Sequence, residues 1–577
     1  MKKWRCFMYA LALPATIALV WSTVGGFEYI RLDDNLYTTE YPLVAGGLTW
    51  AGIKGVFTNF TQGGIWMPLT SVSYMLDISL FGSGPGPHHC MSVVYHMANA
   101  LLFFALLLRL LPQTEGRDPR HACFAAFIGT MLWAIHPQRC ESVSWIASRK
   151  DTIFTLFVLL GLHAWLSAAS SRKHLWASYA LMALGCLGKP TAMVFPAVAF
   201  CVRPDRNWKR YVLPLLLSVG TALLAVHSQT NPTGDAQMMS RGLNEGYGSL
   251  AWRSLNATVA TGLYFAQLVV PRGIHVLYQR NVGAMPNGAA LGLAVFSAVA
   301  LGFSLAIWRL RKNAEATNVL WRAGLWFAAA IGPTLGVAGG FGFHARADRF
   351  LYLPMMAVSW VLAWAFARAN VRGWCKATVL LVLAVYAFAA FENSNTYRED
   401  FTLFSQVLEF EPTNIPAMTH VAAECCAKYN QPDKGIELYR KALSLEPEDD
   451  ETCELLAFAL SVRARPGDDD EIVALCEPLV ARPELDTRGK ATSALGAAAM
   501  RRRDWADAIR FLKQAMRGTA VRDCAEDNAM RLAMCYYNIR RYDEAKPILT
   551  KLAGSGRPEV RTKARELLGY IWTRETR

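Results

Sequence analysis

The feature that most limits how this chain can fold is its hydropathy pattern up to residue 392. Cys6 to Phe27 is a run of 22 residues without a charged side chain. Further apolar blocks follow at 91–108, 121–138, 152–171, 174–188, 190–202, 211–230, 254–271, 287–308, 323–341, 350–367 and 377–391. Roughly 20 apolar helical residues cross a bilayer core, and fewer suffice for short or shielded helices. Inside hydrocarbon, backbone polar groups must be satisfied within the spanning segment, which favours helices for blocks of this length. The pattern predicts an all-α, polytopic membrane domain over residues 1–392.

Composition agrees, since 53% hydrophobic and 18% charged residues are too apolar a mix for a water-soluble chain of 577 residues. The net charge of +14 suggests nucleic-acid binding only until its placement is examined. The basic residues sit in short connectors: Lys2/Lys3/Arg5, Arg109/Arg117/Arg120, Arg172/Lys173, Arg203/Arg206/Lys209/Arg210, Arg309/Arg311/Lys312 and Arg368/Arg372/Lys376. Such clusters prefer the cytoplasmic side. Two blocks separate each neighbouring pair, except that three lie between 210 and 309. The middle one, "SLNATVATGLYFAQLVVP", carries Ser, Asn, Thr and Gln and is assigned as an interfacial or re-entrant helix. About eleven transmembrane helices then remain, with the N-terminus inside and the C-terminal domain outside. The first apolar run exceeds a cleavable signal core and is expected to stay as an anchor. Thirteen cysteines show no CxxC, so neither a disulfide framework nor a metal site is expected.

Residues 393–577 are ordinarily polar, with acidic clusters at 446–454 and 466–471. A helical unit recurs: "GIELYRKAL" from Gly435, "IVALCEPLV" from Ile472, "AIRFLKQAM" from Ala508 and "AKPILTKLA" from Ala545, spaced 37, 36 and 37 residues. The pattern resembles tetratricopeptide repeats, whose period is about 34. Stacked units of that kind form a solenoid whose concave groove suits extended peptides.

On this topology four polar stretches share the external face. The loop 28–90 carries Asp33 and Asp34, an acidic pair able to supply a general base and a second carboxylate that orients it. The 136–151 connector, "HPQRCESVSWIASRKD", gathers His136, Arg139, Glu141, Arg149, Lys150 and Asp151 beside Trp145. Lys189 stands in "GKPTA" between two short blocks, and "HARADRFLYLP" adds His344, Arg346, Asp348, Arg349 and Tyr352. Positive side chains kept on the outside, against the prevailing bias, point to an anionic ligand such as a phosphate.

The order "DDNLY", "WMPLTSVSYMLDISLFG", "PHHCMSVVYHMANALLFF", "HPQRCESVSWIASRKD", "GKP" and "ADRFLYLP" resembles the transmembrane and tetratricopeptide-repeat O-mannosyltransferases and their bacterial relatives, within the GT-C glycosyltransferases. The resemblance covers nearly the whole chain. It implies inverting transfer of a monosaccharide from a polyprenyl-phosphate donor. Asp33 and Asp34 match the family's acidic pair, one of them acting as base. His88, His89, His136, Glu141, Arg149 and Asp151 match its polar motif positions and are expected to line the site. Lys189, Arg346 and Arg349 are expected phosphate contacts. Cys90, Cys140 and Lys150 depart from the pattern.

The expected activity is a membrane glycosyltransferase acting on a protein hydroxyl, its repeats (393–577) presenting the acceptor. No cofactor is expected; the scheme needs no metal, although oligosaccharyltransferases of similar architecture use a divalent ion. The alternatives are an inactive membrane-anchored peptide-binding scaffold, or a lipid-linked glycan polymerase or transporter. The expected location is a bacterial inner membrane with periplasmic repeats, or else the endoplasmic reticulum membrane with lumenal repeats.

Overall fold

The computed structural model describes residues 2–60, 65–111, 119–169, 171–230, 248–279, 285–286, 288–337, 345–369, 373–481, 489–516 and 525–575. Among them the regular structure is entirely helical, from Lys2–Val20 to Pro558–Glu575. His344, Arg117 and Arg372 lie outside the described residues. The chain divides into two compact units, Met1–Glu411 and Pro412–Arg577.

In the first unit, five helices are long and apolar enough to cross a membrane by length and composition: Trp4–Gly26, Pro85–Leu110, Lys209–Ser228, Ala289–Leu310 and Trp374–Arg398. The Ala289–Leu310 helix shows why a membrane is required. It turns Leu291, Leu301, Leu305 and Trp308 outward, each more than half exposed. A helix apolar on its outer face as well as its inner one needs lipid around it. His121–Ala134 and Pro190–Val202 are shorter apolar helices. The polar block assigned as interfacial is one continuous helix, Leu250–Val269, and its Gly262 meets Gly292 of Ala289–Leu310 so closely that a Cβ would strike the Gly292 carbonyl.

The Pro85–Leu110 helix is central, packing against Lys2–Val20, Pro119–Ala134 and Arg149–Ser167. Trp21 and Trp133, both fully buried, lie against His96 of this helix. The contact between the Lys2–Val20 and Pro119–Ala134 helices carries a disulfide, Cys6–Cys123. That bond corrects the expectation of none: it joins residues 117 apart, and only the helix pairing brings them together.

The composition changes near 392, but the first compact unit runs on to Glu411. The Asp400–Phe410 helix buries Leu403, Phe404 and Val407. Asp400 accepts from the Arg31 backbone at 3.0 Å, and Glu411 from the Gln279 backbone at 2.8 Å. These bonds hold the polar segment against the apolar one.

The second unit is a succession of short helices, from Ile415–Ala427 through Pro432–Leu445, Asp450–Arg463 and Asp468–Val480 to Pro558–Glu575. Each packs on the next, and alternate helices touch as well. Small residues permit this closeness: in the Gly489–Arg501 helix, Ala491, Ala494 and Ala498 are buried against Leu456, Leu460 and Ile472. Ion pairs recur at the joins, Arg440–Glu471, Arg463–Asp433, Arg501–Asp469 and Arg557–Asp527.

Candidate functional site

Two adjacent carboxylates in "RLDDNLY" meet different fates because a one-residue offset turns them in different directions. Asp34 opens a short helix, Asp34–Tyr37, and is fully buried. Its two oxygens accept from the Ile30 and Ala147 backbone amides at 2.9 and 2.8 Å. The second bond fastens the first loop to the 136–151 connector. Burial pushes the Asp34 carboxyl up to about 8, against the two amides and with Asp33 adding to the rise. Asp33 is only partly buried, and its side chain makes no hydrogen bond to any described residue. Burial raises its pKa above the ordinary carboxylate value, while Lys150 and Arg349 pull it back.

Around Asp33 stands a cluster drawn from three stretches. Arg349 pairs with Glu141, whose other oxygen accepts from the Arg349 backbone at 2.8 Å. The Arg349 guanidinium lies 5.4 Å from the Trp145 ring and 5.1 Å from that of Phe350. Lys189 Nζ lies 2.6 Å from Asp151 Oδ1, leaving Asp151 Oδ2 buried without a partner. The Lys150 ammonium lies 4.8 Å from the Tyr37 ring. Asp33, Glu141, Lys150, Asp151, Lys189 and Arg349 thus act on one another electrostatically.

Other candidates do not join this cluster. Arg149, expected to line the site, is fully buried, with Nη1 2.6 Å from Asp77 Oδ2. His88 Nδ1 lies 2.9 Å from the same carboxylate oxygen, while its Nε2 is buried without a partner. His89 braces two carbonyls, Ser144 at 2.7 Å and Glu28 at 3.1 Å. His136 lies 3.1 Å from the Leu268 carbonyl, and Arg139 donates to the Leu351 carbonyl at 2.9 Å. These side chains hold loops together because the neighbouring carbonyls and Asp77 claim them first.

Arg346 and Asp348 belong to a second group. Arg346 lies 3.9 Å from the Tyr278 ring and donates to Gln267 at 3.0 Å. The Tyr278 hydroxyl donates to Asp348 at 2.6 Å. Burial, with Glu141 nearby, pushes the Asp348 carboxyl up to about 7. Sequence reasoning missed Asp77, Tyr37 and Tyr278. Asp77 had left a sign, a carboxylate inside the apolar stretch "YMLDISLF".

An apolar cavity of about 400 Å³ lies beside Lys189, between the Arg172–Gly188 helix, the Pro190–Val194 turn and the Lys209–Thr230 helix. Trp66, Leu187, Pro190, Leu216 and Leu224 are among its lining residues. Among the described residues, no three His, Cys, Asp or Glu side chains converge as a metal-ligand set.

No family model matches the chain. It is 22% identical over 368 residues to a Caenorhabditis elegans protein, protein O-mannosyl-transferase F38B6.6, covering 60% of this chain and 49% of that one. It is 19% identical over 435 residues to human protein O-mannosyl-transferase TMTC3, covering 67% and 45%. It is 27% identical over 140 residues to mouse protein O-mannosyl-transferase TMTC1, covering 23% and 14%. The chain spans about half the length, or less, of these curated relatives. At low identity, the chain is similar to the TMTC family of protein O-mannosyl-transferases, the resemblance that its motif order carries.

Proposed function

We propose that the chain is a membrane glycosyltransferase that moves a monosaccharide from a polyprenyl-phosphate donor to a hydroxyl of a protein acceptor, inverting the anomeric centre. The observation that carries this reading is the division of labour between the acidic pair. Asp34 is committed to two backbone amides, whereas Asp33 is partly open, bonded to no described residue and faced by cations. Asp33 is the general base and Asp34 its positioning residue. Asp33 takes the acceptor's hydroxyl proton, and the freed oxygen attacks the anomeric carbon from the side opposite the lipid phosphate. The carbon–oxygen bond to phosphate breaks with its electron pair, and the lipid phosphate departs as an anion. Positive charge fixed where that anion develops lowers the barrier.

A lipid-borne donor suits the apolar cavity beside Lys189. On the proposed topology of about eleven spans, Asp33, Lys189 and Arg349 share one external face. The second unit's alternate-helix packing supports its assignment as a tetratricopeptide-repeat solenoid presenting the acceptor. The relatives' names support mannose as the first sugar to try.

The purified chain, reconstituted with a polyprenyl-phosphate mannose and a Ser/Thr-rich peptide, should give a peptide heavier by one hexose with inverted linkage. A retained linkage, or transfer undiminished in Asp33→Asn, overturns the mechanism. No hexose transfer from any polyprenyl-phosphate sugar overturns the activity.

A further inference from the structure

Of the cations acting on Asp33, Arg349 is paired with Glu141 and Lys189 with Asp151. Lys150 differs. It is 6% exposed, and among the described residues its ammonium makes no hydrogen bond and no ion pair. It lies 4.8 Å from the Tyr37 ring. An ammonium has three donors and no acceptor, and sheltering it without a partner is costly. Its nitrogen is nevertheless not fully covered by the protein. Asp33 attracts it through space and Arg349 repels it. The cluster therefore holds two close ion pairs, Arg349–Glu141 and Lys189–Asp151, while the Lys150 ammonium and the Asp33 carboxylate face each other with no direct bond among the described residues, which leaves the Lys150 donors open to an anionic ligand.

We infer that the Lys150 ammonium is the principal seat of the donor's phosphate, with Arg349 and Lys189 as secondary contacts held in place by Glu141 and Asp151. The inference rests on the glycosyltransferase reading and deepens it by naming the anion contact. It also gives Lys150 two roles in sequence. In the empty site its charge helps keep Asp33 ionised. Once a phosphate pairs with it, that charge is offset, and Asp33 becomes more basic when an acceptor proton has to be taken.

The test is binding without turnover. The full chain in nanodiscs is labelled with a photoreactive polyprenyl phosphate that carries no sugar, in competition with unlabelled polyprenyl phosphate, with polyprenol and with inorganic phosphate. Lys150→Met should weaken competition by the lipid phosphate at least about tenfold, the loss of one charge-assisted contact, and leave polyprenol competition unchanged. Lys150→Arg should stay close to the parent chain, and Asp33→Asn should bind as well or more tightly. Should Lys150→Met fail to fold, Lys150→Gln is read in the same way. Equal lipid-phosphate binding by the charge-removing variant and the parent overturns the Lys150 assignment while leaving the glycosyltransferase reading intact. A parent chain that binds no lipid phosphate overturns both. Inorganic phosphate competing as strongly as the lipid overturns the lipid phosphate as the ligand.

Discussion

Arg149 Nη1 lies 2.6 Å from Asp77 Oδ2, an ion pair closed off from water that joins the Pro68–Phe81 helix to the start of Arg149–Ser167. The same guanidinium donates to the His88 carbonyl at 2.5 Å and lies 4.7 Å from the Tyr74 ring. Both partners are almost wholly buried, so neither charge can turn to solvent when the other is lost. Asp77→Ala should therefore destabilise the first unit by ~3–5 kcal/mol, the usual cost of stranding a buried charge. Thermal unfolding in detergent checks this, and an unchanged midpoint would show that the pair is not a structural tie.

The two adjacent aspartates should separate in their phenotypes. Asp33→Asn removes a base and no structural bond, so turnover should fall about a hundredfold to ten-thousandfold with the unfolding midpoint intact. Asp34→Asn keeps one acceptor oxygen and sets an amide N–H against the Ile30 or Ala147 amide. It should cost about 1–3 kcal/mol of stability as well as activity. The opposite assignment, with Asp34→Asn stable and inactive and Asp33→Asn active, would exchange their roles.

Activity should rise with pH through an acid limb that lies above the ordinary carboxylate range, because burial raises Asp33 and only its ionised form accepts a proton. Lys150 lowers that value, so Lys150→Met should move the limb of kcat/KM to higher pH. Asp34 enters through stability. Its folded carboxyl, at about 8, binds a proton more tightly than the unfolded one. Its contribution is fully present below roughly pH 4 and is lost as pH rises through about 8. Unfolding midpoints across that window should decline in the parent chain, and a profile no steeper than that of Asp34→Asn would refute it.

The apolar cavity provides a test of the lipid part of the donor. Leu216→Trp places extra bulk into a space of about 400 Å³ and touches none of the charged cluster. KM for a long-chain donor should rise several-fold, with little change for a short-chain analogue or for the peptide. Equal effects on long and short donors would remove the cavity from the lipid path.

Much of the architecture was legible because hydropathy is a local property. The 22 uncharged residues from Cys6 announce a helix without reference to anything distant, and the candidate span Trp4–Gly26 lies there. The domain edge was less legible. Polarity changes near 392, yet Asp400 and Glu411 bond back to the Arg31 and Gln279 backbones, contacts that no local window contains. The disulfide Cys6–Cys123 was hidden for the same reason.

The candidate site divides along that line. By itself the sequence determined the inventory: an acidic pair after the first apolar run, cations in three connectors, and helices to carry them. Tertiary structure alone decided which of those groups are spent. Asp34 meets an amide 113 residues away, Arg149 meets Asp77, and Lys189 meets Asp151, while Asp33 and Lys150 make no hydrogen bond or ion pair among the described residues. Helix formation and membrane partition follow from side chains within one turn or one span. Pairing follows from distances of a few ångströms between segments far apart in the chain, and only the packed fold sets those distances.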